Sequence, residues 1–422
     1  MPAHRLDARW LLTMDGPPIE GGAVLIDAGG RLEAVGPGDS VPLPEGALES
    51  SFPDAVILPG LINTHTHLEL TGFAGLVADP DFAPWIRSLR TLKAARSRDA
   101  FLEAARDGVR RCFAAGVTTV ADTGDSGVVM QALAEAGGSG IVYQEVFGPH
   151  PDQVRESMNG LVAHVAELRT FESDRLRLGV SPHAPYTVSG LLYEAVARFA
   201  RDEHLPVAVH IAESKEETEL VTRGRGPFAE AWRGRGIPGL DVQAGGAFPR
   251  SSVAWLDRHG VLAPETLCIH AVQLDPADVA LLALRGAAVA HCPCSNRAHR
   301  HGDAPIAALL AAGIRVGVGT DSEVSGKLDL MADVRLARRL AALSADAALG
   351  LVTRDAAGAL GIPAGRLVPG AMADLVVHKV RGVDGGSMAD ALLDQWDPAV
   401  GLVGTWIGGR RVYRAGHEGG VA

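Results

Sequence analysis

The chain has 422 residues, 47% of them hydrophobic and 21% charged, with a formal net charge of −11 at pH 7 and a pI near 5.7. That balance describes a globular chain with a large core, and its acidity argues against a nucleic-acid binder, which needs a basic face. The length suits one large domain with a smaller one, or two or three of ordinary size.

No run of 18 apolar residues occurs, and even 304–320 ("APIAALLAAGIRVGVGT") is interrupted by Arg315. Asp7 and Arg9 crowd the first short apolar run, so no secretory leader is expected. Four cysteines, Cys112, Cys268, Cys292 and Cys294, are too few and too scattered for a disulfide scaffold. The expectation is a cytoplasmic enzyme acting on a small molecule, with neither nucleic acid nor membrane as partner.

Residues 1–56 alternate short strands with glycine-rich turns, as in "GGAVLIDAGGRLEAVGPG". Eight β-branched runs then follow in order. They are "AVILPGLINTHTH" (55–67), "GVTTVADTG" (116–124), "GIVYQEVFG" (140–148) and "LRLGVSPHAPY" (176–186). The series continues with "LPVAVHIAES" (205–214), "TLCIHAVQL" (266–274), "AAVAHCPCSN" (287–296) and "RVGVGTDS" (315–322). Helical patterns separate most of them. Over 99–115, Phe101, Leu102, Ala105, Val109, Cys112 and Phe113 share one face, and Gly116 can close the helix.

Continuous apolar strands that each lead into a helix imply a parallel sheet buried on both faces. Eight such units imply an α/β protein built as a (β/α)8 TIM barrel. Residues 365–415 return to strands and glycine turns. The two chain ends, 1–56 and 361–422, are therefore expected to pair into a small β-sandwich beside a barrel formed by 57–360.

Active residues of such barrels sit at the C-terminal ends of the strands. Here those ends carry His65 and His67, His183, His210 with Glu213, His270, His291 and Asp321. On a strand, residues i and i+2 point to the same side, so His65 and His67 converge in a way that suits a metal. By itself that spacing also fits a wetted sheet face.

Taken in order, "HTH" (65–67), "HIAES" (210–214), "IHAV" (269–272) and "GTDS" (319–322) resemble the amidohydrolase superfamily. The likeness is to its deaminase and chlorohydrolase branch, which includes adenosine-type, guanine and cytosine deaminases and triazine hydrolases. "GRLVPGAMADLVV" (365–377) is similar to that family's C-terminal return.

The resemblance implies that His65, His67, His210 and Asp321 bind one divalent metal per chain. Zinc suits such a set, and iron or manganese would accept it. His183 stands where binuclear relatives carry a bridging lysine, which implies a single ion. Glu213 would shuttle protons, Asp321 would accept one from water, and His270 would hydrogen-bond the water or the departing group. The implied reaction is hydrolytic deamination at purine C6 with release of ammonia. The alternatives are a guanine or cytosine deaminase, a triazine-type chlorohydrolase, or a non-catalytic relative.

Trp85, His183, Tyr186 and Ser325 resemble substrate contacts of that branch. Glu69, in "HTHLEL", resembles the aminodeoxyfutalosine deaminases of menaquinone synthesis, whose substrate is an adenosine-like nucleoside bearing a benzoate. A cationic contact is then expected from Arg87 or Arg90, or from the stretch 224–250. That stretch is rich in Gly, Pro and Arg and reads as a lid. Glu216, Glu217 and Glu219 read as residues favouring a helix N-terminus, Cys292 and Cys294 as structural thiols, and His299 and His301 as parts of a solvated loop. Homodimers are common in the branch.

Overall fold

The protein is described from a computed structural model covering residues 2–383 and 387–416; the remaining residues of the 361–422 segment lie outside it. Strands β1 (His4–Leu11), β2 (Ile19–Ile26), β3 (Leu32–Pro37) and β4 (Leu48–Pro59) open the chain. The barrel strands follow: β5 (Leu61–Thr66), β6 (Val117–Gly124), β7 (Ser139–Val146), β8 (Leu176–Pro182), β9 (Val207–Ile211), β10 (Thr266–His270), β11 (Ala288–His291) and β12 (Val316–Val318). β13 (Leu375–Lys379), β14 (Leu402–Ile407) and β15 (Arg410–Arg414) complete the set.

The eight strands β5 to β12 lie side by side in chain order, every pair parallel. Closure occurs at one end. Thr66 bridges Asp321 in parallel, and the His65 carbonyl accepts from the N–H groups of Thr320 and Asp321 at 3.1 and 3.0 Å. The Asn63 side chain reinforces the seam: Oδ1 accepts from Thr320 N–H at 3.1 Å, and Nδ2 donates to Thr320 Oγ1 at 2.9 Å. The seam therefore sets the first strand's histidines against the last strand's aspartate.

Strands from the two chain ends meet as expected and form one continuous seven-stranded sheet in the order β15-β14-β13-β4-β1-β2-β3. β4 explains the continuity, because its 12 residues pair with β1 on one side and β13 on the other. Its side chains alternate between two cores. Val56 and Leu58 enter the barrel's outer layer, whereas Ala55 and Ile57 pack with Leu6, Val24, Leu375 and Trp406.

The helix expected over 99–115 runs Arg98–Ala114. Ser97 caps it by accepting from the Ala100 N–H, and Gly116 closes it at φ +83°. Stretch 224–250 folds into two short helices, Gly226–Gly234 and Leu240–Gln243. Among the described residues, no helix is long and apolar enough to cross a membrane.

Gly319, just after β12, is required at the seam. A Cβ there would lie 2.7 Å from the His65 nitrogen and 2.8 Å from its Cβ. The substitution Gly319→Ala is expected to destabilise the protein by about 1–3 kcal/mol through overpacking and to weaken metal retention by displacing His65. Denaturant titration and metal analysis test this; wild-type values for both would show that the seam has room.

Candidate metal and catalytic site

His65 is the penultimate residue of β5, His67 follows directly after the strand, and His210 lies in β9. One ring nitrogen from each falls within 4.8 Å of the others. Asp321 Oδ1 approaches two of them, 3.4 Å from His65 Nε2 and 3.5 Å from His67 Nε2. Both ring nitrogens of His65 are buried without a hydrogen-bonding partner among the described residues. An orphaned buried imidazole is costly, and a cation among these groups would satisfy it. Burial pushes His65 down, His67 well below the usual histidine range and His210 to about 3. Neutral imidazole is the form that ligates. The donor set fits a divalent ion.

Burial alone would raise the Asp321 carboxyl, but His65, then His67 and His270, hold it well below the usual carboxylate range. Its Oδ2 accepts from Ser295 Oγ at 2.5 Å and Ser325 Oγ at 3.2 Å. The backbone here is strained: Ala212, His270, Ala271 and Asp321 have φ values of +51°, +70°, +50° and +60°. Left-handed φ costs a non-glycine residue about 1–2 kcal/mol and clusters where surrounding structure overdetermines it. Here the Ala212 carbonyl accepts from the N–H groups of Val272 and Gln273 at 2.9 and 2.7 Å, tying the ends of β9 and β10 together.

Glu213 stands beside this cradle. Its Oε1 lies 3.5 Å from His270 Nε2 and 3.3 Å from His301 Nε2, and its Oε2 accepts from the Tyr186 hydroxyl at 3.3 Å. Burial would raise this carboxyl; His270 and His301 hold it well below its usual value. His270 is oriented in turn by Asn296, whose Oδ1 accepts from Nδ1 at 3.0 Å.

A cavity of about 480 Å³ opens over these groups. Trp85, His183, Tyr186 and Ser325 line it, as do Glu213 and Asp321. Phe82 stacks on Trp85 with ring centroids 5.9 Å apart, giving the cavity an aromatic wall. His183 pairs with Thr187 Oγ1 at 2.8 Å. Glu145, His183 and His210 also bring one potential ligand atom each within 4.8 Å of one another.

Several placements differ from the sequence reading. Glu69 does not line the cavity; it is fully buried behind the wall, where Lys93 Nζ donates at 2.7 Å and the Ser126 hydroxyl and N–H also donate to it. Arg90 lines the cavity and Arg87 does not. No residue of 224–250 lines it either. That insert buttresses Tyr186 instead: Phe228 stacks on its ring at 4.3 Å, and Trp232 Nε1 donates to its carbonyl at 3.0 Å.

His301 is buried and His299 is only partly exposed, so neither sits in a freely solvated loop. The short helix Pro293–Ala298 turns the chain inward, His301 is 3% exposed against Glu213, and His299 Nε2 lies 2.9 Å from Ser325 Oγ. Glu217 does more than favour a helix N-terminus. It is fully buried, and its carboxylate accepts from the N–H groups of Ala212 and Glu213 at 2.7 and 3.1 Å, clamping the backbone beneath Glu213. Cys292 and Cys294 are both free, and burial pushes the Cys292 thiol well up and that of Cys294 to about 12.

Glu145, Asp125 and Lys93, which also line the cavity, were not singled out in the sequence. For Glu145 a signal existed, since "YQEVFG" places an acid at the C-terminal end of a barrel strand. The substitution His67→Ala is expected to abolish stoichiometric binding of a divalent ion while leaving the barrel folded. Elemental analysis and circular dichroism check it, and full metal content in the variant would refute the cradle.

The sequence profile of the amidohydrolase family matches residues 56–412. An aminodeoxyfutalosine deaminase of Deinococcus radiodurans is 35% identical over 341 residues, covering 78% of this chain and 78% of that one. A 5'-deoxyadenosine deaminase of Methanothermobacter thermautotrophicus is 29% identical over 387 residues, 87% of this chain and 83% of its own. In three dimensions, a zinc-bound adenosine deaminase from Xanthomonas campestris shares the fold with a TM-score of 0.80, over 97% of this chain and 92% of that one, at 24% identity. Because the profile runs from β4 into β15 and takes in every barrel strand, this chain belongs to the amidohydrolase family.

Proposed function

We propose that this protein is a metal-dependent aminohydrolase that replaces the 6-amino group of an adenine nucleoside with a carbonyl oxygen and releases ammonia. Family membership makes it a hydrolase of C–N bonds. The observation that carries the finer reading is the convergence of two buried carboxylates, Glu213 and Asp321, in one cavity beside a histidine cradle.

A divalent ion held by His65, His67, His210 and Asp321 would supply Lewis acidity, which lowers the pKa of a water from 15.7 to about 7. Zinc matches three neutral imidazoles and a carboxylate, with iron and manganese as alternatives.

Deamination moves two protons. One leaves water and must reach ring N1; the other must reach the departing amino group. Glu213 is ionised in the free site, so it takes the first proton and delivers it to N1, which prevents negative charge from building on the ring. Its second oxygen is steadied by Tyr186. Asp321 holds the second proton for the amino group, and His270 hydrogen-bonds that group as it leaves. Water is consumed, N1 and the amine each gain one proton, and the ring keeps the oxygen.

The aromatic wall of Phe82 and Trp85 suits a flat heterocycle, with His183 and Ser325 as further polar contacts. Relatives named for aminodeoxyfutalosine and 5'-deoxyadenosine support a nucleoside substrate. Aminodeoxyfutalosine is the leading candidate, with Arg90 available for its benzoate.

The test is ammonia release from adenosine, 5'-deoxyadenosine, methylthioadenosine, aminodeoxyfutalosine, guanine and cytosine. Turnover of the adenine nucleosides is expected, with the highest kcat/KM for aminodeoxyfutalosine; turnover of guanine or cytosine alone would overturn the proposal. Glu213→Gln is expected to lower kcat by about 10²–10⁴-fold with metal content unchanged, and wild-type kcat in that variant would remove Glu213 from the chemistry.

A further inference from the structure

The chemistry above leaves one corner of the cavity unused. Lys93, near the end of the helix Phe82–Ala94, places its ammonium 2.7 Å from Glu69 and 2.6 Å from Asp125. Glu145, at the end of β7, completes the corner. Lys93, Asp125, Ser126 and Glu145 line the cavity, and Glu69 lies behind them. Three carboxylates thus surround one ammonium. A wall with that excess repels an anion and favours a neutral ligand rich in hydrogen-bond donors.

Glu145 is the telling group. It is 6% exposed, and its Oε1 is buried with no hydrogen-bonding partner among the described residues. His183 Nε2 lies 3.9 Å away. A buried carboxylate oxygen without a partner costs about 1–3 kcal/mol or more, so a side chain held this way in a cavity wall is poised for a ligand. The two oxygens of a carboxyl match adjacent hydroxyls. Ionised, both accept; protonated, one donates and one accepts. Recognition of a hydroxyl survives either state.

We infer that Glu145 and Asp125, together with Lys93, form the subsite that binds the sugar hydroxyls of the substrate. The inference rests on the nucleoside reading above and deepens it. Its ligand class is a vicinal diol, as in a ribonucleoside. It also sends any anionic substituent away from this corner, toward Arg90.

The test compares adenosine with 2'-deoxyadenosine and 3'-deoxyadenosine on the metal-loaded wild type and on Glu145→Gln, reading KM, kcat and metal per chain. In the wild type, loss of a hydroxyl should lower kcat/KM about 10- to 100-fold, the range of a hydrogen bond to a charged group, mostly through KM. In Glu145→Gln, adenosine should fall by a similar factor and the deoxy substrates much less, so that the preference for ribose shrinks. Asp125→Asn, at a more exposed position, provides the same comparison if Glu145→Gln does not fold.

Equal losses on ribo and deoxy substrates, or a wild type indifferent to both hydroxyls, would overturn the subsite and leave the deaminase standing. A fall from two metal ions to one in Glu145→Gln would also overturn it and assign Glu145, with His183 and His210, to a second ion. A wild type inert on every adenine nucleoside would remove the function and the subsite together.

Discussion

The site depends on two hydrogen bonds to one carbonyl. The His65 backbone oxygen accepts from both Thr320 and Asp321, and this is where the first and last barrel strands meet. Closure and chemistry share the same few residues. The seam that joins β5 to β12 sets the Asp321 carboxylate against the rings of His65 and His67. Gly319 permits the approach because a side chain there would strike His65. The left-handed backbone of Asp321 turns its carboxylate into the barrel mouth, and the surrounding hydrogen bonds sustain that conformation.

Electrostatics then divides the labour. Burial lowers the cradle histidines and, acting alone, would raise the nearby carboxylates. Glu213 and Asp321 are lowered instead, because His270 and His301 face the first and His65, His67 and His270 face the second. Glu145, buried in the same cavity, is pushed well above the usual range by burial, with Lys93 too weak to offset it. Acids in one cavity therefore behave differently according to what faces them.

Support behind the cavity wall is as organised as the wall itself. Glu69 anchors Lys93 from below, Glu217 clamps the backbone at Glu213, and Asn296 orients His270. The insert at 224–250 contributes through Tyr186 rather than through the substrate, stacking Phe228 on the ring and tying Trp232 to its carbonyl. A loop rich in arginine suggested contact with an acidic ligand. In the folded chain its Arg233 serves the insert's own backbone, and Arg250 pairs with Asp275 and Asp278.

By itself the sequence determined the eight strands, because buried parallel strands are continuous apolar runs whose pattern is local. It also pointed to the candidate ligands His65, His67, His210 and Asp321, with His270 beside them, because a barrel exposes the C-terminal end of each strand and those ends carry these residues. Only the tertiary structure decided which polar groups share the cavity. Glu69 and Glu145 are both acids near strand ends, yet one lies behind the wall and the other in it. His301 looked like a loop residue because nothing within ten positions shows that its chain segment turns inward to Glu213. Periodicity reports which face of an element is buried; what that face meets depends on strands brought together from distant parts of the chain.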